Sequence, residues 1–248
     1  MARFYAPDAE KIGAVVVLPD EEAAHFTRVL RLRAGAAIRV FNGRGGEFDA
    51  TVQDVTRNRV RALLQASRHA QAEPRVSVTL AQAALKGDKM DDVVRDAVMM
   101  GAAAVQPYVA ARSEMTLATL QRGRRRDRWQ RIAISAAKQC GRATVPPVLE
   151  PRLFSEIVDA LSRMILPEPA LMFVEPAAGS GTLTLSDLAD PPPREATVVI
   201  GPEGGWDPVE IERGSAACRL VTLGARTLRA DAMSLVALAA LFALWKEF

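Results

Sequence analysis

The chain has 248 residues, 49% hydrophobic and 25% charged, an ordinary globular balance with room for one large domain or two modest ones. Its two cysteines, Cys140 and Cys218, offer neither a disulfide framework nor zinc-ligand spacing, so a reducing cytoplasm is the expected compartment. The net charge of +3 is small, but nine Arg and Lys against two acids lie between Arg112 and Arg142, a concentration suited to a polyanion.

The first residues, "MARFYAPDAEKIG", have no apolar core of the kind a signal peptide needs. Residues 1 to about 72 read as a small β-rich unit, with apolar β-branched runs at 14–19, 36–42, 46–55 and 58–66. The turn "FNGRGGEF" joins two of them through Asn42-Gly43 and Gly45-Gly46, residues tolerant of positive φ. One short helix, "DEEAAHFTRVLRL", interrupts the strands. Asp20 is its expected cap, with acids in the first turn and arginines at the end, as a helix dipole favours. His25 within it reads as structural or as a phosphate contact, and His69 falls in a linker.

From about residue 73 strands and helices alternate, which favours an α/β unit with a mostly parallel sheet. "RVSVTLAQAAL" (75–85) is strand-like, and "KGDKMDDVVRDAVMMG" places Met90, Val93, Val94, Ala97 and Met100 near helical spacing before a stop at Gly101. A strand "AAVQPYVA" follows, then helices around 116–141 and 154–164. Further strands are expected at 170–175, 196–200 and 219–224. "AAGSGT" (177–182) and "DLADPPPREA" (187–196) read as loops. The longest apolar tract, "AMSLVALAALFALW" (232–245), is shorter than the ~20 residues of a membrane span and reads as a buried terminal helix or a subunit interface.

Three stretches carry chemistry. In "IGPEGGWDPVEIE" an apolar strand ends in a glycine-rich bend, and Asp207, Pro208 and Glu210 have the spacing of N-cap, N1 and N3. Bare backbone at the carboxyl edge of a parallel sheet is where such folds bind ligands, with a purely structural strand-to-helix turn as the alternative. It is neither a dinucleotide fingerprint nor a Walker sequence. "VTLGARTLRADAMSLVAL" repeats the theme: strand, glycine, basic loop, apolar helix. In "RRRDRWQRIAISAAKQCGR", Trp129, Ile132, Ala133, Ala136, Ala137 and Cys140 form an apolar helical face. Arg124, Arg128, Arg131, Ser135, Lys138 and Arg142 form a stripe beside it that lacks compensating acids, so a phosphate partner is expected. No Ser/His/Asp set, metal cluster or paired-carboxylate signature emerges.

Together "HFTRVLRLRAG", "KGDKMDDVVRDAVMMGAAAVQPYVAARSE", "RWQRIAISAAKQCGRATVPPV", "VVIGPEGGWDPVEIE" and "LGARTLRADAM" resemble, in order and over nearly the whole chain, the bacterial ribosomal RNA small-subunit methyltransferase E family of the SPOUT superfamily. The resemblance implies a PUA-like RNA-binding β-barrel (1–72) and a SPOUT α/β methyltransferase domain (73–248). The latter carries a C-terminal trefoil knot and a cofactor site within about 170–235.

It further implies methylation of N3 of a uridine in 16S rRNA of the 30S subunit. It implies S-adenosylmethionine as the donor and a cytoplasmic homodimer with its active site near the subunit interface, without metal or membrane. Cofactor contacts map to Phe173, Val174, Glu175 and Pro176; to Ile200, Gly201, Pro202, Glu203, Gly204 and Gly205; and to Leu223, Gly224, Leu228, Arg229 and Ala232. Arg229, Asp231 and Glu203 are the candidate catalytic groups. Arg3, His25, Arg28, Arg31, Arg112, Arg124, Arg128, Arg131, Lys138 and Arg142 are the candidate RNA contacts. The family usually reads Leu-Arg-Thr-Glu-Thr-Ala where this chain has "LRADAM": Ala230 lacks a hydroxyl and Asp231 is one methylene shorter than glutamate. A SPOUT enzyme acting on tRNA or another rRNA site, and a non-catalytic RNA-binding ribosome-assembly factor, are the alternatives.

Overall fold

A computed structural model describes residues 1–56, 59–163, 169–176, 181–188 and 191–248. Parts of the expected strand at 58–66, the helix ending at 164 and the loops at 177–182 and 187–196 lie outside the described residues. The chain divides into two compact units, Met1–Glu73 with Ile134–Val145, and Pro74–Ala133 with Pro146–Phe248.

The first unit holds β1 (Arg3–Tyr5), β2 (Val15–Val17), α1 (Asp20–Ala24), β3 (Ala37–Phe41), β4 (Glu47–Thr56) and β5 (Arg59–Arg68). The sheet order is β1-β3-β4-β5-β2, antiparallel except where β1 joins β3. Alternation sets its core face. Phe48, Ala50 and Val52 of β4 and Val60, Ala62 and Leu64 of β5 point inward onto Phe4, Phe26 and Ile38.

The β3–β4 turn is organised by Asn42, whose Oδ1 accepts from the amides of Arg44 (2.8 Å) and Gly46 (2.9 Å). Gly43 and Gly45 supply the positive φ the turn requires. The short helix differs from expectation. Asp20 is its first residue rather than its cap, and Pro19 precedes it with no side-chain cap. After Ala24 the helix widens into a π turn, His25–Val29, in which the Leu30 amide donates to the His25 carbonyl. That turn holds Phe26 in the core against Phe4, ring centroids 5.5 Å apart.

The second unit holds β6 (Ser77–Ala83), α2 (Lys89–Met100), β7 (Ala104–Val109), α3 (Leu117–Arg122), α4 (Arg125–Cys140, its last turns assigned to the first unit), β8 (Arg152–Leu153), α5 (Phe154–Ser162), β9 (Ala170–Phe173), β10 (Glu195–Ile200), α6 (Pro208–Ser215), β11 (Arg219–Val221) and α7 (Ala230–Leu244). All its strand pairs are parallel, in the order β11-β9-β10-β6-β7-β8. The expected helix at 116–141 is two helices, broken at Gly123 and at Arg124, whose φ is 46°. Gly101 ends α2 with φ 109°, as expected.

Val199 and Met172 face a cluster of Tyr108, Phe154, Ile157 and Trp206 beneath α5 and α6. Helix α7 packs on α2 and β10 with Leu238, Leu241 and Phe242 buried. From β6 the chain winds outward to β7 and β8, then crosses to the other side of β6, where β9, β10 and β11 lie in the spatial order β10, β9, β11. The winding therefore reverses between β6 and β10, the position at which parallel sheets open a crevice.

Candidate functional site

The carboxyl ends of β9, β10 and β11 each run into a loop, and the three loops enclose one cavity of about 230 Å³. Phe173 to Pro176 form one wall, Ile200 to Glu203 with Gly205 and Trp206 a second, and Leu223 with Arg226 to Ala230 and Met233 a third. The two glycine-bearing stretches singled out in the sequence thus meet across a single cleft. Gly204, Gly224 and Ala232 do not line it. Gly204 instead faces a neighbouring cleft and packs against Arg112, where an added Cβ would lie 3.1 Å from the Arg112 carbonyl oxygen. Trp206, Arg226, Thr227, Ala230 and Met233 line the cavity without having been expected there.

Trp206 and Tyr108 explain why the loops sit where they do. The Trp206 indole donates to the Phe173 carbonyl (2.8 Å), and the Tyr108 hydroxyl donates to the Ile200 carbonyl (2.7 Å). The rings stack at 16° between planes. Burial pushes the Tyr108 phenol well above its ordinary pKa, so it remains a donor. A Cβ on Gly201 would lie 2.7 Å from the Trp206 ring, and one on Gly205, at φ 71°, 2.8 Å from the Glu175 carboxylate. At these two positions the cavity wall is bare backbone by necessity.

The end of the β10 loop is fixed by the capping grammar expected from the sequence. Asp207 accepts from the Val209 amide (3.0 Å), Pro208 is the first helical residue, and Glu210 reaches back to the Asp207 amide. The other oxygen of Glu210 accepts from the Ala111 amide at 2.8 Å. Beneath the third wall, the single proton of the buried Ser234 hydroxyl is shared between Gln82 Oε1, near the end of β6, and the Ala230 carbonyl (3.1 Å), tying the start of α7 to the sheet. Sequence periodicity carries no signal for a buried Gln–Ser pair on distant elements.

The three candidate catalytic groups lie close together. Arg229 and Asp231 form an ion pair with two contacts of 3.3 Å; the arginine is largely exposed and the acid half-buried. Glu203 bonds Lys89 and accepts from the Lys86 amide (3.3 Å). Lys89 holds the Glu203 carboxyl below the usual glutamate range, against an opposing push from desolvation and from the Asp231 charge. Glu203 is therefore a weaker proton acceptor than an ordinary glutamate.

The candidate RNA contacts separate into groups. Arg3 and Arg142 are turned inward. The Arg3 guanidinium bonds Glu47 (3.0 Å) and the carbonyls of Ala137 (3.0 Å) and Arg142 (2.8 Å), and Arg142 is 7% exposed and paired with Glu73. Lys138 bonds Glu22 (2.7 Å) and approaches His25 Nδ1 (3.2 Å). Arg128 is paired with Asp88 and Asp91. The basic stripe thus does have compensating acids, supplied by residues far away in sequence, which corrects the expectation drawn from the helix alone. Arg28, Arg31, Arg112, Arg124 and Arg131 are exposed. Among the described residues no cluster of His, Cys, Asp and Glu could hold a metal ion, and no helix is long and apolar enough to cross a membrane.

Two family models match: an RNA methyltransferase domain over residues 72–242 and an RNA methyltransferase PUA domain over residues 18–65. A ribosomal RNA small subunit methyltransferase E of Synechocystis sp. is 32% identical over 98% of this chain and 77% of its own length. That of Bacillus subtilis is 30% identical over 89% of this chain and 87% of its own. The crystal structure of a ribosomal RNA small subunit methyltransferase E from Neisseria gonorrhoeae bound to S-adenosyl methionine superposes with a TM-score of 0.87 at 34% identity, covering 99% of this chain and 98% of that one.

Proposed function

The chain belongs to the ribosomal RNA small subunit methyltransferase E family, and on that premise we propose that it transfers the methyl group of S-adenosylmethionine to N3 of a uridine in 16S rRNA of the small ribosomal subunit. The carrying observation is the single cavity built from three strand-end loops, in a chain 34% identical to a protein solved with that donor.

The residues present fit the group. Ile200, Leu223, Leu228 and Met233 offer apolar walls for an adenine, and Gly201 and Gly205 admit close approach of the main chain. Glu175 and Glu203 place negative charge at a cavity meant for a cation. When bound, the donor supplies a methyl group already activated by a sulfonium. This chain must then orient the acceptor and favour its anionic form. Orientation alone contributes up to ~7–11 kcal/mol in favourable cases.

Arg229 is assigned to stabilise negative charge on a uracil oxygen, and Asp231 to accept the N3 proton on its carboxylate. Glu203, held ionised by Lys89, orders the β10 loop instead. The uridine leaves its stack to reach the site. Residues 1–72 serve RNA binding and residues 73–248 catalysis, in the cytoplasm where the ribosome is assembled.

Two structural features belong to the same reading. A trefoil knot within about 170–235 is supported by β11 lying on the far side of β9 from β10, with Leu183 of the β9–β10 connection bridged to Val221. A homodimer is supported by α7, where Leu235 and Val236 are 38% and 40% exposed on an otherwise apolar helix.

Labelled methyl transfer to 30S subunits that lack the modification, followed by mapping of the methylated nucleoside, tests the function. 3-Methyluridine in 16S rRNA is expected. Label in tRNA or at another rRNA site would move the substrate, and tight 30S binding with no transfer would indicate an assembly factor.

A further inference from the structure

Beside the donor cavity lies a second cleft of nearly equal size, about 220 Å³, lined by Ala84, Arg112, Ser113, Glu114, Pro202, Glu203 and Gly204. Pro202 and Glu203 line both, so only the β10 loop separates them. Ala84 directly follows β6 and Pro202 lies just beyond β10, which places this cleft at the reversal of winding between β6 and β10. The donor cavity sits one strand further on. Two adjoining pockets at the carboxyl edge of one sheet suit a reaction that joins two molecules.

Arg112 is the cation lining the cleft, and each of the two carboxylates beside it is met by a lysine, Glu203 by Lys89 and Glu114 by Lys86. Arg112 is held loosely: its guanidinium stands 3.6 Å from Asp207 and 3.5 Å from the Gly204 carbonyl, and its side chain is 46% exposed. The Ser113 hydroxyl accepts from the Ala110 amide (3.0 Å), leaving its own proton to donate. Lys86 lies at the rim, where the exposed Glu114 meets it at 2.8 Å, a pair that solvent weakens. Gly204 keeps this cleft open, because its missing Cβ is what allows the Arg112 backbone to approach.

We propose that this cleft is the acceptor subsite, and that Arg112 and Ser113 hold the phosphodiester of the RNA nucleotide whose base is presented across Pro202 and Glu203 to the donor cavity. The inference rests on the methyl-transfer reading and adds to it the place where the acceptor enters. It separates the functions of the two glycines of the β10 loop: Gly205 shapes the donor cavity and Gly204 the acceptor cleft.

The test uses Arg112→Ala, Arg112→Lys and Gly204→Ala, each checked for an unchanged melting temperature. Donor affinity is measured by calorimetry, binding of unmethylated 30S subunits by filter retention, and KM for those subunits by labelled transfer. Arg112→Ala is expected to raise KM and weaken 30S binding about tenfold, the scale of one lost charge-assisted contact, with donor affinity unchanged. Arg112→Lys should recover part of the loss, and Gly204→Ala should reproduce it by displacing Arg112. Unchanged 30S binding in both Arg112→Ala and Gly204→Ala overturns the subsite, as does an equal loss of donor affinity. If the wild-type chain transfers no methyl group while Arg112→Ala still loses 30S binding, the subsite stands as an RNA contact and the catalytic reading falls.

Discussion

The Nε1 of Trp206 donates to the carbonyl oxygen of Phe173 across 2.8 Å, fastening the loop after β10 to the last residue of β9. Two walls of the donor cavity are thereby joined by one buried hydrogen bond. Tyr108 of β7 fastens the last residue of β10 in the same way, through the Ile200 carbonyl. Removing either donor leaves a buried carbonyl unsatisfied, at a cost of about 1–3 kcal/mol. Trp206→Phe and Tyr108→Phe are each expected to lower unfolding free energy by that amount in urea titrations. Trp206→Phe should also weaken donor binding, because its loop lines the cavity.

Gly201 lies under the Trp206 ring with no space for a methyl group. Gly201→Ala is expected to displace the indole and to reduce donor affinity at least about tenfold while the chain stays folded, as checked by calorimetry and near-ultraviolet circular dichroism. Gly224, at φ 70° unlike Gly201, has open space around its Cβ position and does not line the cavity. Gly224→Ala should therefore cost backbone strain without comparable loss of donor affinity.

Asp231→Asn keeps size and removes the proton acceptor. Single-turnover methyl transfer should slow at least about a hundredfold with donor affinity nearly unchanged, the range of a lost general base. Arg229→Ala should also slow transfer, and the double variant should lose less than the sum, because the two groups are paired. A wild-type rate for Asp231→Asn removes this residue as the base.

The Lys89–Glu203 pair has a defined pH signature. The folded-state pKa of Glu203 is lowered from 4.5, chiefly by the hydrogen bond from Lys89. A depressed carboxylate contributes stability that is fully present above the unfolded value and is lost as pH falls through the folded one. The stability difference between wild type and Lys89→Met should therefore be constant at neutral pH and shrink below pH 4.5. Carbon-13 NMR of the carboxyl should show Glu203 titrating higher in the variant.

Cys218 is buried in the cluster with Trp206 and Phe154, and desolvation pushes its thiol up to about 11. It is expected to resist alkylation at pH 8 in the native state, while the partly exposed Cys140 reacts first. Mass spectrometry of a timed labelling series checks the order.

What the sequence revealed and what it concealed follow from the range of the interactions involved. The capping residues Asp207, Pro208 and Glu210 and the stop at Gly101 act over a few positions, so local spacing sufficed to place them. The parallel strands were legible as apolar runs, and their alternation with helices indicated the sheet. The pairing of Arg128 with Asp88 and Asp91, of Lys138 with Glu22, and of Arg142 with Glu73 joins residues 37 to 116 positions apart, so the stripe on α4 looked uncompensated from its own composition. The π turn at His25–Val29 was hidden for a related reason: Phe26 reaches Phe4 only in the folded core. Gly204 and Gly205 are neighbours in sequence yet face different clefts, a distinction set by the path of the β10 loop.

The most direct test is calorimetric titration of S-adenosylmethionine into the wild-type chain and into Gly205→Val, a substitution that strains φ and drives a side chain toward Glu175. One donor molecule per chain should bind the wild type in the micromolar range or tighter, and none the folded variant. No binding to the wild type, or equal binding to both, would show that the three strand-end loops do not form the donor site.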